Sequence, residues 1–445
     1  MSEQELELPK GWTNSSLDSL SILITKGSTP TTYGYDYLEK GINFVRVENI
    51  IDGQINKNSL KQFISKDAYD YLKRSQLKEN DILFSIAGTI GRTTIVTKED
   101  LPANTNQAIA LIRCPWEYLE TKFIKTILNS PILFNSFSKN RRGVGMDNVG
   151  LGDIKEIIVP LPPLNEQKKI VSKIEELFSK IDSTKQLLEQ IKMQLRIYDY
   201  SFQKKIFDEL SKKYPLKELV KVCTKINDGT HHSPENGSQG DVPYITAKNI
   251  RPRKIDLSNI TYVSKESHKE IFTRCNPVKG DVLYTKDGTV GYAVVNNLDF
   301  DFSLLSSVAL LKPNHEIINS YYLETFLNNP VNYNNVTKKM TGSALRRIIL
   351  AIIKKLLIPL PPIDEQKKIT FEIQQNLSLV ENTTQIVNST LQTLQTMKIS
   401  VLKRAFEGKL VQQDPNDEPA HILLEKIKNT KEAKPTKKRR AKNVK

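Results

Sequence analysis

One feature limits what this chain can fold into more than any other: it is written twice. Residues 157–170 read IIVPLPPLNEQKKI, and residues 356–369, which lie 199 positions further on, read LLIPLPPIDEQKKI. Nearly the same spacing relates NDILFSIAGTIGR at Asn80–Arg92 to GDVLYTKDGTVGY at Gly280–Tyr292. It also relates FVRVENI from Phe44 to YITAKNI from Tyr244, IALIR from Ile109 to VALLK from Val308, and KKIF from Lys204 to KRAF from Lys403. Several matches in one order and at one spacing are not chance. The 445 residues are two copies of a unit of roughly 200, and each copy must share the other's topology.

Within each copy the pattern changes at PLPP. Before it stand short apolar runs bounded by Gly, Asn, Asp and Thr (INFVRV, DILFSI, TTIV, AIALIR), which predict strands and turns, mixed with helical stretches such as TKFIKTILNS. After it the period becomes helical. Ile170, Ile174, Leu177, Ile181, Thr184, Leu188, Ile191, Leu195, Tyr198 and Phe202 follow one another at alternating steps of four and three, the seam of a coiled coil. Pro162 and Pro163 mark its start, Pro215 its end, and Asn165 is placed to cap it. The second copy repeats the seam with Ile369, Ile373, Val380, Val387, Leu394, Met397 and Val401, with Asp364 in the capping place and Gly408 as the stop. Asn376, Thr383 and Thr390 also fall on it. Either the register slips there or these residues fix the pairing at some cost in stability.

Two seams in one chain most simply pack on each other, over helices of about 65 Å at 1.5 Å per residue. Antiparallel packing places the two β-rich domains at opposite ends about a pseudo-two-fold axis, which suits a duplex whose strands are themselves dyad-related. Because the domains differ in sequence, a site read by both is asymmetric and in two parts. Parallel packing would instead crowd both domains at one end, and the seams themselves do not give the direction. On the dyad argument the expected fold is α+β, two mixed α/β domains separated by an antiparallel coiled coil.

Composition excludes several classes. No run of about 18 apolar residues predicts a membrane span, and the polar start MSEQELELPKGW is not a secretory leader. The cysteines, Cys114, Cys223 and Cys275, lack metal or disulfide spacing, so the chain reads as cytoplasmic. Of the net charge of +15, the run Lys431–Lys445 carries +7; it reads as a solvated basic tail that adds only sequence-blind attraction to phosphates. No G-x-x-x-x-G-K-[ST] loop and no adenine-methylating NPPY-like tetrapeptide occurs. The adjacent His231 and His232 lack a partner at metal-ligand spacing. A self-sufficient nuclease or methyltransferase is thereby disfavoured, and so is a bare coiled-coil scaffold, which needs no duplicated β domains.

PLPPLNEQKKI and PLPPIDEQKKI, each opening a long helix, resemble the conserved regions of type I restriction–modification specificity subunits. So do LPKGW at Leu8–Trp12, KINDGTHHSP at Lys225–Pro234 and RAFEGKLVQQDPNDEPA at Arg404–Ala420. The resemblance implies a non-catalytic DNA-binding subunit with target-recognition domains at 1–163 and 211–362. It also implies a central conserved helix at 164–210, a distal one at 363–411 and a C-terminal extension with the basic tail at 412–445. The implied partners are double-stranded DNA, two modification (methyltransferase) subunits and motor–nuclease restriction subunits. S-adenosylmethionine, ATP and Mg belong to those partners, and no cofactor to this chain. The run Lys431–Lys445 lies beyond the usual ending of such subunits.

Base edges call for Arg, Lys, Asn or Gln, and phosphates for cations or hydroxyls. Loops offer these at Lys26, Ser28 and Thr29, matched by Thr230, His231 and His232. Further candidates are Arg46 and Asn49, matched by Lys248 and Asn249; Lys139, Arg141 and Arg142; Lys338, Lys339, Arg346 and Arg347; and Arg92 and Lys286 beside the GT-x-G turns. Positions identical in both copies are the poorer candidates for reading bases, since the two half-sites differ. The glycines of the GT-x-G turns are expected to serve turn geometry.

Overall fold

A computed structural model describes residues 8–130, 149–340 and 346–432. In the first copy the chain forms β1 (Thr13–Ser16), α1 (Leu17–Leu20), β2 (Leu23–Lys26), β3 (Ile42–Val45), the hairpin β4 (Ile50–Ile51) and β5 (Gln54–Ile55), and β6 (Phe63–Ile64). Then come α2 (Lys66–Tyr71), β7 (Ile82–Ser85), β8 (Thr93–Ile95), β9 (Ala103–Thr105), β10 (Ile109–Arg113), α3 (Thr121–Leu128), α4 (Leu151–Lys155) and β11 (Ile158–Leu161). Helix α5 (Leu164–Lys213) follows.

The second copy repeats the order with β12 (Leu216–Glu218), α6 (Leu219–Val222), β13 (Cys223–Asp228), β14 (Val242–Ile245), β15 (Ile250–Arg251), β16 (Lys254–Ile255) and β17 (Thr261–Val263). It continues with α7 (Lys265–Arg274), β18 (Val282–Thr285), β19 (Ala293–Val295), β20 (Ser303–Leu304), β21 (Val308–Pro313), α8 (Ser320–Leu327), α9 (Pro330–Thr337), α10 (Leu350–Lys354) and β22 (Leu357–Pro359). Helix α11 (Ile363–Phe406) and α12 (Ala420–Glu432) complete the chain.

Both copies build the same sheets. An antiparallel four-stranded sheet has the order β2-β10-β7-β8 in one and β13-β21-β18-β19 in the other. A three-stranded sheet, β6-β3-β9 or β17-β14-β20, contains one parallel pair. Side chains of the central strands alternate between two cores, as a two-residue period requires. Ile82, Phe84, Ala110 and Ile112 face α1, α3 and the long helices, whereas Leu83, Ile109 and Leu111 face Val45, Val96 and Ala103. The α+β expectation is met, and no helix among the described residues is long and apolar enough to cross a membrane.

The chain divides into two compact units, Met1–Gln186 with Leu391–Lys445, and Leu187–Thr390. In each unit a segment of α5 runs antiparallel to a segment of α11. In the first, Lys398 Nζ lies 2.6 Å from Asp182 Oδ1 and sits over the Phe178 ring, while Ile170 and Ile174 share a core with Leu402 and Ala405. In the second, Lys192 donates to Asn388 (2.9 Å), Asn376 to Asp199 (3.2 Å) and Lys213 to Glu365 (3.2 Å).

The EQKKI motif has a mechanical purpose at the helix starts. Gln167 is fully buried; its Oε1 accepts the Glu120 amide (2.9 Å) and its Nε2 donates to the Pro162 carbonyl (2.9 Å). Gln366 does the same with Asn319 (2.8 Å) and Pro361 (2.8 Å). Each thereby fastens a long helix to the domain that precedes it. The helices begin one residue before the expected caps. Asn165 lies inside the first turn, donating to Asp417 (2.8 Å), and Asp364 pairs with Lys367 (3.6 Å).

The seam also needs correction. Ile170, Ile174, Ile181, Ile369, Ile373, Val387 and Leu394 are buried, and Leu177, Leu188, Ile191, Leu195 and Val380 are half-buried, as a two-helix contact leaves them. Thr184, Tyr198 and Met397 point to solvent. After Leu394 the seam steps four residues to Lys398, whose ammonium lies over the Phe178 ring, and so bypasses Met397. Asn376 is buried on the seam and bonded across it, so the polar interruption there specifies pairing. The basic run does not begin in solvent either. Helix α12 buries Ala420, Leu423 and Ile427 against the first unit, and Lys431 donates to the Asp18 carbonyl. The residues after Glu432 lie outside the described residues.

Candidate nucleic-acid interface

At one end of each four-stranded sheet the same loops converge. Strand β2 ends at Lys26, and Gly27 passes so close to the β9–β10 connection that a Cβ there would stand 2.1 Å from the carbonyl oxygens of Thr105 and Asn106. Gly229 after β13 is as tight, 1.9 Å from the Leu304 carbonyl oxygen. Only glycine permits that approach. The GT-x-G turns join the same end, with Gly88, Gly91, Gly288 and Gly291 all at positive φ, as their expected turn role requires. A third segment closes the cluster: the Val149 amide bonds the Ile86 carbonyl (2.9 Å), and the Ile348 amide bonds that of Lys286 (2.8 Å).

In the first unit Lys26 is exposed, Ser28 is buried and accepts from Arg74 Nη2 (3.3 Å), and Thr29 donates to Gln107. In the second, His231 and His232 are exposed and Thr230 Oγ1 donates to the His232 carbonyl (2.8 Å). Beneath them Asp228 is buried in a cage formed by the cations Arg274 (3.1 Å) and Lys286 (3.3 Å) and by the His231 ring (3.4 Å). Arg346 and Arg347 are exposed beside the GT-x-G turn, the Arg346 carbonyl accepting the Gly288 amide (3.1 Å). Lys338 and Lys339 are exposed at the end of α9, and Lys248 on a short turn after β14.

Several expected contacts are spent inside the fold. Asn49 and Asn249 are buried; each accepts a backbone amide three residues earlier, at 2.8 and 3.0 Å, and donates to a carbonyl further on, so both cap turns and neither is free for a base edge. Arg92 Nη1 donates to the carbonyls of Val47 and Ile50 (both 3.2 Å). Lys286 is locked between Asp228 and Asp287 (both 3.3 Å). Arg46 donates to Gln62 (3.0 Å) and pairs with Glu48 (3.1 Å), keeping part of its surface in water. Lys139, Arg141 and Arg142 lie outside the described residues.

The two ends carry different chemistry on one backbone. Strand register places Lys26 opposite Ala110 and Asp228 opposite Ala309, so a cation in one unit answers to an anion in the other. Where the second unit has Lys286, the first has Ile86. A second exchange lies at the small hairpins. In the first unit Lys125 reaches the Gly53 carbonyl (3.1 Å); in the second, Arg253 replaces the glycine and Glu324 the lysine. Burial pushes the Lys125 amine down and the Glu324 carboxyl up. Arg74 and Arg274, which order the two loops, escaped the sequence reading because they lie far from those loops along the chain.

Comparison with known proteins fits this duplicated site. The family described as "Type I restriction modification DNA specificity domain" matches residues 9–193 and again 209–396. The chain belongs to that family. Each match spans one repeat and most of the long helix after it. The chain is 24% identical over 456 residues to the EcoBI specificity subunit of Escherichia coli, covering 95% of this chain and 93% of that one. It is 25% identical to the EcoKI specificity subunit of E. coli strain K12 (95% and 96%). Among solved structures, the HsdS subunit from Thermoanaerobacter tengcongensis shares the fold with a TM-score of 0.64 at 20% identity, covering 92% of this chain and all of that one. A chain from a study of type I restriction–modification assembly and conformational transition superposes with a TM-score of 0.68, also at 20% identity, over 91% of this chain and all of that one.

Proposed function

We propose that this specificity subunit reads an asymmetric two-part DNA site, one half with each repeat, and contributes recognition but no catalysis. The observation that carries the reading is the pair of sheet ends just described, where one backbone arrangement presents Lys26 and Thr29 beside the Arg74 that holds buried Ser28 in one unit, and His231 and His232 over the Asp228 cage in the other. A reader of two different half-sites needs a shared frame with unlike side chains. Exposed Lys26, Lys248, Lys338, Lys339, Arg346 and Arg347 supply phosphate contacts or base-edge donors.

Chemistry falls to partners in this reading. Two modification subunits, holding S-adenosylmethionine, methylate adenine after flipping it out of the stack, and restriction subunits use ATP and Mg. The outer faces of the long helices, where Leu379 and Ile386 are exposed, offer those partners an apolar stripe. The assembly acts in the cytoplasm.

The test is adenine-methylation mapping by long-read sequencing in cells carrying this gene with its modification subunit, against cells lacking this gene alone. A new two-part asymmetric motif, methylated on opposite strands in its halves, supports the reading. An unchanged map despite assembled subunits refutes it.

A further inference from the structure

The first unit carries an aromatic ledge that the second lacks. Thr29 leads into a short 3-10 turn at Pro30–Tyr33, which Gly34 ends in the left-handed region at φ 81°. That reversal brings both Tyr33 and Tyr35 against Tyr71 at the end of α2, with ring centroids 5.4 and 5.5 Å apart. Tyr35, Tyr37 and Tyr69 are anchored on a small core of Phe44, Ile64 and Ala68. Tyr33 and Tyr71 stand above it, 47% and 59% exposed. An ordered tyrosine pair left about half exposed is the composition of a recognition surface.

The ledge is continuous with the loop end of the sheet. Tyr33 follows Thr29 by four residues, and Arg74, three residues after Tyr71, holds Ser28 at 3.3 Å. Lys73 and Arg74 are exposed beside it, and the nearby Asp70 is engaged by Lys66 at 2.9 Å. Apolar rings with hydroxyl tips bordered by cations suit the sugars and base edges of a duplex framed by phosphates. In the second unit the equivalent helix starts at the matching serine cap, Ser264 for Ser65, and this alignment places Glu270 where Tyr71 stands. The loop there reads HHSPENGSQG, without an aromatic ring other than histidine.

We propose that Tyr33 and Tyr71 are specificity-determining residues of the first repeat, packing their rings against sugars and base edges of one half-site only. This rests on the reading that the chain recognises two-part DNA.

The experiment uses the full chain assembled with its modification subunits and duplexes built on the motif that methylation mapping returns. The double variant Tyr33→Ala/Tyr71→Glu, which gives position 71 the residue of the second repeat, is compared with Tyr33→Phe/Tyr71→Phe and the wild type. Both positions are exposed, so the melting temperature is expected to be unchanged. The first variant should bind the intact site about tenfold more weakly and stop discriminating base changes in one half, while the phenylalanine variant keeps both. Retained discrimination in both halves, or equal loss in both, overturns the proposal. A wild type that prefers no two-part site instead overturns the underlying reading, and does so before any variant is made.

Discussion

Arg113 grips Asp81 with two contacts of 2.6 Å, from Nε to Oδ1 and from Nη2 to Oδ2, and the carboxylate also accepts the Lys78 amide at 2.7 Å. The second repeat makes the same join with a simpler cation: Lys312 meets Asp281 at 2.7 Å, and Asp281 accepts the Val278 amide at 2.8 Å. Each pair ties the central strand to the turn that opens its neighbour. Removing one member leaves a buried charge without its partner. Arg113→Ala, which strands the fully buried Asp81 carboxylate, is expected to destabilise the first unit by about 3–5 kcal/mol, and Arg113→Lys by clearly less, since lysine does this work in the other repeat. Urea denaturation of the two variants checks the order.

Glu166 is buried with Trp12 Nε1 donating to it at 3.0 Å and Gln413 at 3.4 Å, while its other oxygen has no partner among the described residues. Burial raises its carboxyl above the ordinary glutamate value, against the pull of those two hydrogen bonds. The folded state therefore holds this proton to higher pH than the unfolded chain does. The resulting stabilisation is complete below the unfolded value and is lost as pH rises through the folded one. In a Trp116→Phe background, which leaves Trp12 the single tryptophan, indole fluorescence should titrate with a midpoint above that of a free glutamate. Glu166→Gln should abolish the transition, and a midpoint at or below the free value would contradict the assignment.

Two glycines near the candidate interface should respond differently to alanine. At Gly27 the added carbon meets two carbonyl oxygens at 2.1 Å, so strand and loop must separate. At Gly88 the space is open and only the positive φ of 71° is unfavourable. Gly88→Ala should cost about 1–2 kcal/mol and leave site-directed methylation in place. Gly27→Ala should cost at least as much and also weaken methylation at the mapped motif, read from calorimetry and from the methylation map.

On α11, Leu394→Ala is expected to cost about 2–5 kcal/mol and Met397→Ala less than about 1 kcal/mol, because Leu394 is buried and Met397 is 47% exposed. Thermal melts that rank the two the other way would restore the simple heptad.

Much of the architecture was legible in the residues. The duplication, the PLPP boundaries and the two long seams follow from repeated motifs and from a three–four period sustained for many turns. The seams alone leave the packing direction open, and the contacts of Asp182 with Lys398 and of Lys192 with Asn388 supply it. What stayed hidden depends on the third dimension. Asn49 and Asn249 have the side chain that suits adenine, and the same amide suits a turn; burial decided between them. Met397 satisfies the heptad, but Lys398 takes the seam because its ammonium meets both the Phe178 ring and Asp182. Helix α12 was concealed because Ala420, Leu423 and Ile427 make a short apolar stripe beside a basic run. Tyr33 and Tyr71 carry no motif, and their pairing appears only once the chain reverses at Gly34.

The reciprocal exchange at positions 53, 125, 253 and 324 bears on how such chains can be recombined. A hairpin carrying Arg253, grafted alone in place of the one carrying Gly53, would drive a guanidinium toward the Lys125 ammonium, which a built Cβ at Gly53 already approaches to 3.2 Å. The reverse graft would leave Glu324, whose carboxyl burial pushes up, without the nearby cation that lowers it. Each half of the exchange is expected to cost stability without the other. New specificities should therefore be transplanted as whole blocks cut at the proline segments, because chimeras with crossovers inside a block inherit mismatched charges that no choice of DNA target can repair.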